Sequence, residues 1–325
     1  MNNSAPLKAH LSMFTACAIW GLMSPLGKDA MTHGIDGITM VSFRVMGGAL
    51  LFWFTSLFFM LRGRRTADIA EVGGQCSTAV PLRDKLLFAL AAVFGLVCNQ
   101  CGFTIGLSLT SPVNASIVTT SLPIFAMILS FLILREPVTW LKFGGVAIGC
   151  VGAVTLVLTS VHAADSRVGD IRGDLFVLGA QLSYALFLSL FNKLVRRYDI
   201  FTVNRWMFLW ATVIIWPFAI WHVAAVDWAS VPLRTWLETA YVVFFGTFVG
   251  YILIVNAQKV LRPTVVSTYN YVQPAVAVTV SVLTGIGVFK PTQALAVLLV
   301  FTGVWMVTKS KSKNDITLAR TRTRV

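Results

Sequence analysis

Long apolar runs without acidic residues recur along the chain and are separated by short polar segments. The runs cover about 9–27, 38–61, 86–108, 113–134, 139–159, 175–192, 201–222, 236–257, 264–285 and 292–308. An α-helix rises 1.5 Å per residue, so about 20 residues cross the roughly 30 Å apolar core of a bilayer. The pattern therefore predicts an all-α polytopic membrane protein with ten transmembrane helices.

One stretch of the chain occurs twice in altered form. Residues 112–123, PVNASIVTTSLP, align without a gap with residues 263–274, PTVVSTYNYVQP, at an offset of 151 residues. Five helices in each copy is an odd number, so the second copy enters the membrane from the opposite side. The spacing predicts two inverted five-helix repeats, 1–160 and 170–308, followed by a basic cytoplasmic tail at 309–325.

Composition and charge agree with a membrane location. The chain is 57% hydrophobic and 12% charged, against roughly 25% charged in soluble domains. Of the 26 lysines and arginines, twenty fall on the side that carries both termini and five on the other, with Arg44 inside a span. Positive residues favour the cytoplasmic side, so we expect cytoplasmic termini in the plasma membrane, the inner membrane if bacterial. Basic loops beside anionic lipid account for the net charge of +13, and no nucleic-acid partner is expected.

Polar side chains at membrane depth are candidates for substrate binding, because each is costly there unless it is paired or hydrated. The predicted substrate-binding residues are Trp20, Asn99, Gln100, Ser116, Thr119, Thr120, Tyr184, Tyr251, Asn270, Tyr271 and Gln273. The alternative is that hydroxyls bond to their own helix and amides join helices, which we favour for single serines and threonines. For Asn270, Tyr271 and Gln273 we favour binding, because three large polar side chains beside a proline exceed what packing requires.

Two prolines and one arginine extend the candidate set. Pro123 and Pro274 stand at equivalent positions of the two copies, and each frees a carbonyl one turn earlier and permits a bend. The sequence allows two interpretations of these prolines, a gating hinge or a static kink. Arg44 is the only charge well inside a predicted span. It could attract a substrate carboxylate or phosphate, or it could have a structural role by snorkelling outward or binding helix-end carbonyls. Its shallow depth favours the structural role.

The block at 107–157, LSLTSPVNASIVTTSLPIFAMILSFLILREPVTWLKFGGVAIGCVGAVTLV, the helix order and the Trp20-containing first helix resemble the EamA family of the drug/metabolite transporter superfamily. The resemblance covers both halves. It implies a ten-helix carrier whose central cavity alternates its opening, often exporting amino acids or related metabolites. Arg135 and Glu136 stand where the family usually has a Gly-Glu pair, which weakens a symmetric role for that turn.

Motifs of catalysis are missing from the sequence. It has no glycine-rich phosphate loop, no H-E-x-x-H and no nucleophile elbow, so we expect no enzyme, no metal and no cofactor. The predicted function is a secondary transporter of a small metabolite, acting as exporter, facilitator or exchanger, and a homodimer is an open alternative to a single copy. The rival interpretation is a membrane-embedded sensor or assembly protein without transport.

The positions of the acidic residues bear on energy coupling. All 13 acidic residues lie in loops, tails or helix ends. Proton-coupled carriers commonly use a carboxylate buried at membrane depth, so this distribution favours facilitated diffusion or exchange over proton coupling.

Overall fold

The structure is a computed structural model that describes residues 4–61, 80–109, 112–160, 171–283 and 291–311. These ranges form helices, and no strand occurs within them. We number the helices α1 (Ser4–Thr32), α2 (Gly37–Leu61), α3 (Leu82–Ala92, Val93–Val97 and Cys98–Leu109), α4 (Pro112–Thr119 and Leu122–Leu134) and α5 (Trp140–Ser160). They continue as α6 (Ile171–Leu190 and Asn192–Arg197), α7 (Ile200–Ala225), α8 (Leu233–Tyr241, Val242–Val249 and Gly250–Val260), α9 (Pro263–Thr268, Tyr269–Tyr271 and Val272–Leu283) and α10 (Pro291–Lys309).

Six helices in the described part of the chain are long and apolar enough to cross a bilayer. They are Gly37–Phe59, Leu82–Leu107, Ile117–Leu134, Ile171–Leu190, Ile200–Ala225 and Leu233–Val260. Two shorter apolar helices, Trp140–Thr155 and Ala294–Lys309, lie in α5 and α10. The prediction of an all-α polytopic membrane protein is therefore confirmed, whereas the count of ten spans stays a prediction.

The helices pack in pairs. α1 packs on α8 and α3 on α6, while α2 packs on α7 and α5 on α10. α4 and α9 lie against α6 and α1, respectively. The repeat predicts that α1–α5 correspond to α6–α10. On that basis the α2–α7 and α5–α10 contacts each join a helix to its own counterpart. The α1–α8 contact matches α3–α6, and the α4–α6 contact matches α1–α9.

Helical geometry changes at matching places in the two copies. α3 contains a π-helical segment at Val93–Val97, and α8 contains one at Val242–Val249. α4 is broken by a turn at Thr120 and Ser121, and α9 narrows to a 3₁₀ turn at Tyr269–Tyr271. Both breaks come just before the prolines of the repeated stretch, because a proline lacks the N–H donor and crowds the carbonyl four residues earlier.

The Asp84 end of the bundle is closed by a cluster of polar side chains. Asp84 lies in the first turn of α3, where its carboxylate meets Arg197 Nη1 at 3.0 Å and accepts a hydrogen bond from the Tyr198 hydroxyl. Burial and the bond to Asp84 raise the pKa of Tyr198 to about 12, so this phenol stays protonated and donates at neutral pH. The cluster ties α3 to the link between α6 and α7.

The opposite end, which we call the Asp29 end, carries its own ion pairs. Arg234 Nη2 lies 2.9 Å from Asp29 Oδ2, and Arg234 Nε lies 3.0 Å from Glu238 Oε1. His222 Nδ1 lies 2.9 Å from Asp36 Oδ2. The first of these contacts joins the end of α1 to the start of α8.

Glycines let α5 and α10 approach closely. A Cβ atom added at Gly303 would lie 2.6 Å from the Gly145 carbonyl oxygen and 2.6 Å from the Gly149 backbone nitrogen. Small residues at such a contact allow backbones to meet without a loss of packing. This interface fixes the two helices against one another beside the site described next.

Candidate functional site

Tyr251 of α8 lies at the centre of a group of aromatic and polar side chains between the helices. Its ring centroid is 5.0 Å from that of Phe208 and 5.8 Å from that of Trp20, both in edge-on arrangements. Its hydroxyl accepts a hydrogen bond of 3.1 Å from Gln100 Nε2. The sequence prediction named Trp20, Gln100 and Tyr251 separately, and the fold brings these three side chains together.

The π segments beside this centre are bonded by side chains from neighbouring helices. Trp20 Nε1 donates to the Gly246 carbonyl oxygen at 2.8 Å, and Ser183 Oγ donates to the Phe94 carbonyl oxygen at 2.8 Å. A π turn inside an α-helix alters the backbone ladder, and such turns are frequent at functional sites. Each π segment is thus held by a side chain from the helix packed against it.

Arg44 of α2 reaches the same region. Its Nε donates to Thr247 Oγ1 at 3.1 Å, and the Thr247 hydroxyl in turn donates to the Val242 carbonyl oxygen at 3.0 Å. Thr247 is fully buried. Arg44 is half-buried, and no acidic residue of the described ranges forms an ion pair with it.

Two buried oxygens near Tyr251 lack a hydrogen-bond partner within the described ranges. They are Gln100 Oε1 and Asn204 Oδ1, in side chains that are at most 3% exposed. The Tyr184 hydroxyl is also buried and lies beside the Gln258 side chain. Buried polar groups are nearly always bonded, and exceptions call for an explanation such as a water molecule or a ligand.

A second polar group lies on α9. Gln273 Nε2 donates to Asn270 Oδ1 at 2.6 Å, and Asn270 Nδ2 donates to the Ser267 carbonyl oxygen at 3.0 Å. α1 comes close here, since a Cβ atom added at Gly21 would lie 2.8 Å from the Gln273 carbonyl oxygen. The amides of Asn270 and Gln273 therefore bond mainly to each other and to their own helix.

Tyr271 packs between helices, unlike Asn270 and Gln273, whose amides bond to each other and to their own helix. It is 1% exposed, and its hydroxyl lies 3.3 Å from both the Thr120 and the Val146 carbonyl oxygens. A Cβ atom added at Gly149 would lie 2.6 Å from its ring. Tyr271 thus fills the space between α4, α5 and α9, and its contact with a substrate stays a prediction.

The remaining candidates bond to backbone carbonyl oxygens, either of a neighbouring helix or of their own. Asn99 Nδ2 donates to the Ala180 carbonyl oxygen at 3.0 Å. Thr119 and Thr120 donate to carbonyl oxygens three or four residues earlier in their own helix. The side chain of Ser116 lies outside the description. These bonds follow the alternative interpretation, in which such residues join or stabilise helices.

Sequence reasoning did not select Thr247, Asn204 or Phe208, although Asn204 and Phe208 contact Tyr251 and Thr247 bonds to Arg44. Asn204 Nδ2 lies 3.4 Å from the Tyr251 carbonyl oxygen. Thr247 precedes Tyr251 by four residues, a spacing that places both on one helix face and would have identified it. Within the described ranges, no three His, Cys, Asp or Glu side chains come together in a way that could hold a metal ion.

Comparison with known proteins places these features in a family. The profile of the EamA-like transporter family matches residues 7–158 and 171–309. The chain is 22% identical over 223 residues to a Bacillus subtilis protein described as uncharacterized transporter YyaM, covering 68% of this chain and 72% of that protein. It is 20% identical over 240 residues to uncharacterized transporter YetK of the same organism, covering 73% and 72%.

The fold itself also has a solved counterpart. One protein crystal structure superposes with a TM-score of 0.70 at 16% sequence identity, covering 92% of this chain and 96% of the other. At that identity the likeness concerns the fold alone. With the family profile matching both halves of the sequence and the relatives described as transporters, the chain is a membrane transporter that belongs to the EamA-like transporter family.

Proposed function

We propose that the chain is a secondary transporter that moves a small metabolite, such as an amino acid or a related compound, by alternating access. In this proposal ten spans form two inverted repeats, and both termini lie in the cytoplasm. The substrate site is the group around Tyr251, between the halves. The carrier works as an exporter, facilitator or exchanger.

One observation carries this proposal: residues at equivalent positions of the two copies touch each other. Gln100 and Tyr251 are 151 residues apart and share a hydrogen bond. Thr120 and Tyr271 are also 151 residues apart, and the Tyr271 hydroxyl donates to the Thr120 carbonyl oxygen. A two-fold axis in the membrane plane would bring such equivalent residues together, and inverted-repeat carriers bind their substrates at that interface.

The ion pairs at the two ends support a rocking motion between the halves. Asp84 with Arg197 and Asp29 with Arg234 each join residues of different proposed repeats, at opposite ends of the bundle. Opening one end would break one pair and leave the other. The Arg234–Asp29 pair is accessible to solvent on both sides, with side-chain exposures of 74% and 29%, and such pairs contribute little to stability. At the other end Arg197 is 64% exposed but the Asp84 carboxylate is only 6% exposed, so the Asp84 end is closed by the stronger contact.

The location of the acidic residues supports transport without proton coupling. Asp29, Asp36, Asp84, Glu136 and Glu238 all lie at or near helix ends and take part in ion pairs. A proton-coupled carrier commonly needs a carboxylate buried at depth, where its pKa rises. We therefore propose facilitated diffusion or exchange.

Counterflow in proteoliposomes tests the proposed function. Vesicles loaded with one unlabelled member of a panel of amino acids and related metabolites should take up the same labelled compound faster than protein-free vesicles. Gln100→Met should reduce this uptake about tenfold or more, the effect of removing roughly 1.4 kcal/mol of interaction. Thr302→Val, at an exposed site where the hydroxyl bonds only to its own helix, is the matched control. The proposal fails if no compound is exchanged, or if Gln100→Met matches the control.

Labelling of single cysteines tests the orientation. In a background without the five native cysteines, Ser77→Cys and Ser166→Cys should react with a membrane-impermeant maleimide from opposite sides of the membrane. Reaction of both from the outside would contradict the topology, and with it the inverted repeat.

A further inference from the structure

We propose that Arg44 binds the carboxylate group of the transported molecule. The inference rests on the proposed function, since it assigns the chemical class of the substrate for the same site. It starts from the way one edge of the guanidinium group is held while the rest makes no contact with an anion. A charge in apolar surroundings is costly, and residues of this kind usually serve a function or have a named partner.

Thr247 orients the guanidinium group without neutralising it. The hydroxyl of Thr247 donates a hydrogen bond to the Val242 carbonyl oxygen and accepts one from Arg44 Nε. Nε is thereby fixed, while Nη1 and Nη2 make no hydrogen bond within the described ranges. The planar, paired terminal nitrogens of an arginine match the two oxygens of a carboxylate.

No carboxylate of the described ranges competes for Arg44. Asp84 pairs with Arg197, and Glu136 pairs with Lys142. At the Asp29 end the acids meet Arg234 and histidines. Asp199 and Asp227 accept hydrogen bonds from backbone N–H groups. Within the described ranges no carboxylate pairs with Arg44, which leaves its charge available to an anionic ligand.

The charge count favours a monoanion over a phosphate ester. A phosphate monoester carries about −1.5 to −2 at neutral pH, whereas Arg44 supplies a single positive charge. The next described arginine on the facing helix, Arg205, bonds to Ser56 and lies over the Trp53 ring. Ser56 is twelve residues beyond Arg44 on α2, or about 18 Å at 1.5 Å per residue. Arg205 is therefore too far away from Arg44 to share the same anionic group.

The surroundings suggest the rest of the molecule. Tyr251 follows Thr247 by one helical turn and stacks edge-on with Trp20, which provides an aromatic wall for a small apolar body. Gln100 Oε1 is buried and unbonded, so it offers an acceptor for a ligand N–H or O–H group. The substrate class is a small monocarboxylate that also carries a hydrogen-bond donor.

Chemical labelling tests the site without any need for transport. Purified full-length protein is treated with phenylglyoxal, and modification of each arginine is measured by peptide mass spectrometry. Arg44 should react faster than Arg205, whose guanidinium is bonded and stacked. Acetate should slow the reaction of Arg44 about tenfold at saturation, whereas acetamide at the same concentration and ionic strength should not. Equal protection by acetamide, no protection by acetate, or slower reaction of Arg44 than of Arg205 would overturn the inference. Stronger protection by inorganic phosphate than by acetate would overturn the choice of a monocarboxylate.

Stability measurements separate a binding role from a structural one. Thr247 keeps its bond to Val242 without the arginine, so Arg44→Met should melt at the same temperature as the wild type or higher. Arg205→Met, which loses the bond to Ser56, should melt lower. A fall in melting temperature for Arg44→Met as large as that for Arg205→Met would show that Arg44 is structural.

Transport then links the site to the substrate class. For every panel compound that the wild type exchanges, the matched amide should be exchanged at least about tenfold more slowly, and Arg44→Met should abolish the difference. Arg44→Lys keeps the charge but loses the paired nitrogens, so it should be intermediate. Equal exchange of acids and amides by the wild type would refute the carboxylate assignment. A complete lack of exchange would refute the proposed function, and the labelling result would still decide whether Arg44 is an anion site.

Discussion

Replacing Gly303 by alanine tests how closely α5 and α10 must approach. The new Cβ atom would lie 2.6 Å from the Gly145 carbonyl oxygen and 2.7 Å from the Gly149 Cα atom. Ordinary van der Waals contact begins at 3.4 Å. All of these neighbours are backbone atoms, so no side chain can turn away. The helices must therefore separate by about 0.8 Å, a gap that forfeits a large part of the dispersion energy at the contact.

The size of the effect follows from two opposing terms. Overpacking of a well-packed interior costs about 1–3 kcal/mol. Alanine in place of glycine within a helix contributes roughly 0.5–1 kcal/mol in the stabilising direction. Gly179 in α6 is the matched control, because a Cβ atom there meets nothing within 4 Å. Gly179→Ala has the stabilising effect of alanine in a helix without the overpacking. The two variants should therefore differ by about 1–3 kcal/mol in the free energy of unfolding.

Reversible unfolding in mixed detergent micelles measures this difference. Each variant is titrated with sodium dodecyl sulfate, and the loss of helix or of tryptophan fluorescence gives the free energy of unfolding. Gly303→Ala should be less stable than the wild type or equal to it, and Gly179→Ala should be at least as stable as the wild type. Equal stability of the two variants would show that α5 and α10 do not meet through Gly303.

Three further predictions follow from other contacts. Tyr251→Phe leaves the buried amide of Gln100 without a bond and should destabilise the protein by about 1–3 kcal/mol, whereas the double variant with Gln100→Met should recover most of that loss in the same unfolding assay. Greater loss in the double variant than in Tyr251→Phe would contradict the bond. Asp84→Asn removes the ion pair with Arg197 and weakens the bond from Tyr198, so cysteines at the Asp84 end should react faster with a maleimide; an unchanged rate would argue against a closing role. An imposed pH gradient, with the membrane potential clamped and no counter-substrate, should give no uphill accumulation in proteoliposomes, and accumulation would disprove facilitated diffusion or exchange.

The sequence repeat predicted where the backbone changes direction. The offset of 151 residues carries Leu82, the first residue of α3, to Leu233, the first residue of α8. Prolines were informative because they affect the backbone directly, without reference to distant parts of the chain. The π segments had no sequence signature, since the side chains of Val93–Val97 and Val242–Val249 are as apolar as those of any spanning helix.

Side-chain directions on α9 were harder to predict. The sequence argument grouped Asn270, Tyr271 and Gln273 as large polar side chains beside a proline, and it assumed regular α-helical steps. The 3₁₀ turn at Tyr269–Tyr271 changes that step, because it has 3.0 residues per turn instead of 3.6. Tyr271 therefore points between α4 and α5, away from the amides of its neighbours.

The sequence could not predict which distant residues meet in the candidate site. The partner of Arg44 is Thr247, 203 residues further along the chain, and hydropathy contains no information about which helices meet. The sequence placed a charge at membrane depth and favoured a structural role for it because that depth is shallow. The absence of an ion-pair partner among the described acidic residues became visible only in three dimensions.

Contacts between residues 151 positions apart affect how the two copies of the repeat can come to differ in sequence. In a symmetric pair of identical molecules, a contact on the two-fold axis joins a residue to its own copy, so both sides carry the same chemistry. Within one chain the two members can differ. Gln100 donates to Tyr251, and Tyr271 donates to a backbone carbonyl at Thr120. If the two halves are the inverted repeats that we propose, their union in one chain permits a directional donor–acceptor contact at a place where a homodimer would hold two identical groups face to face.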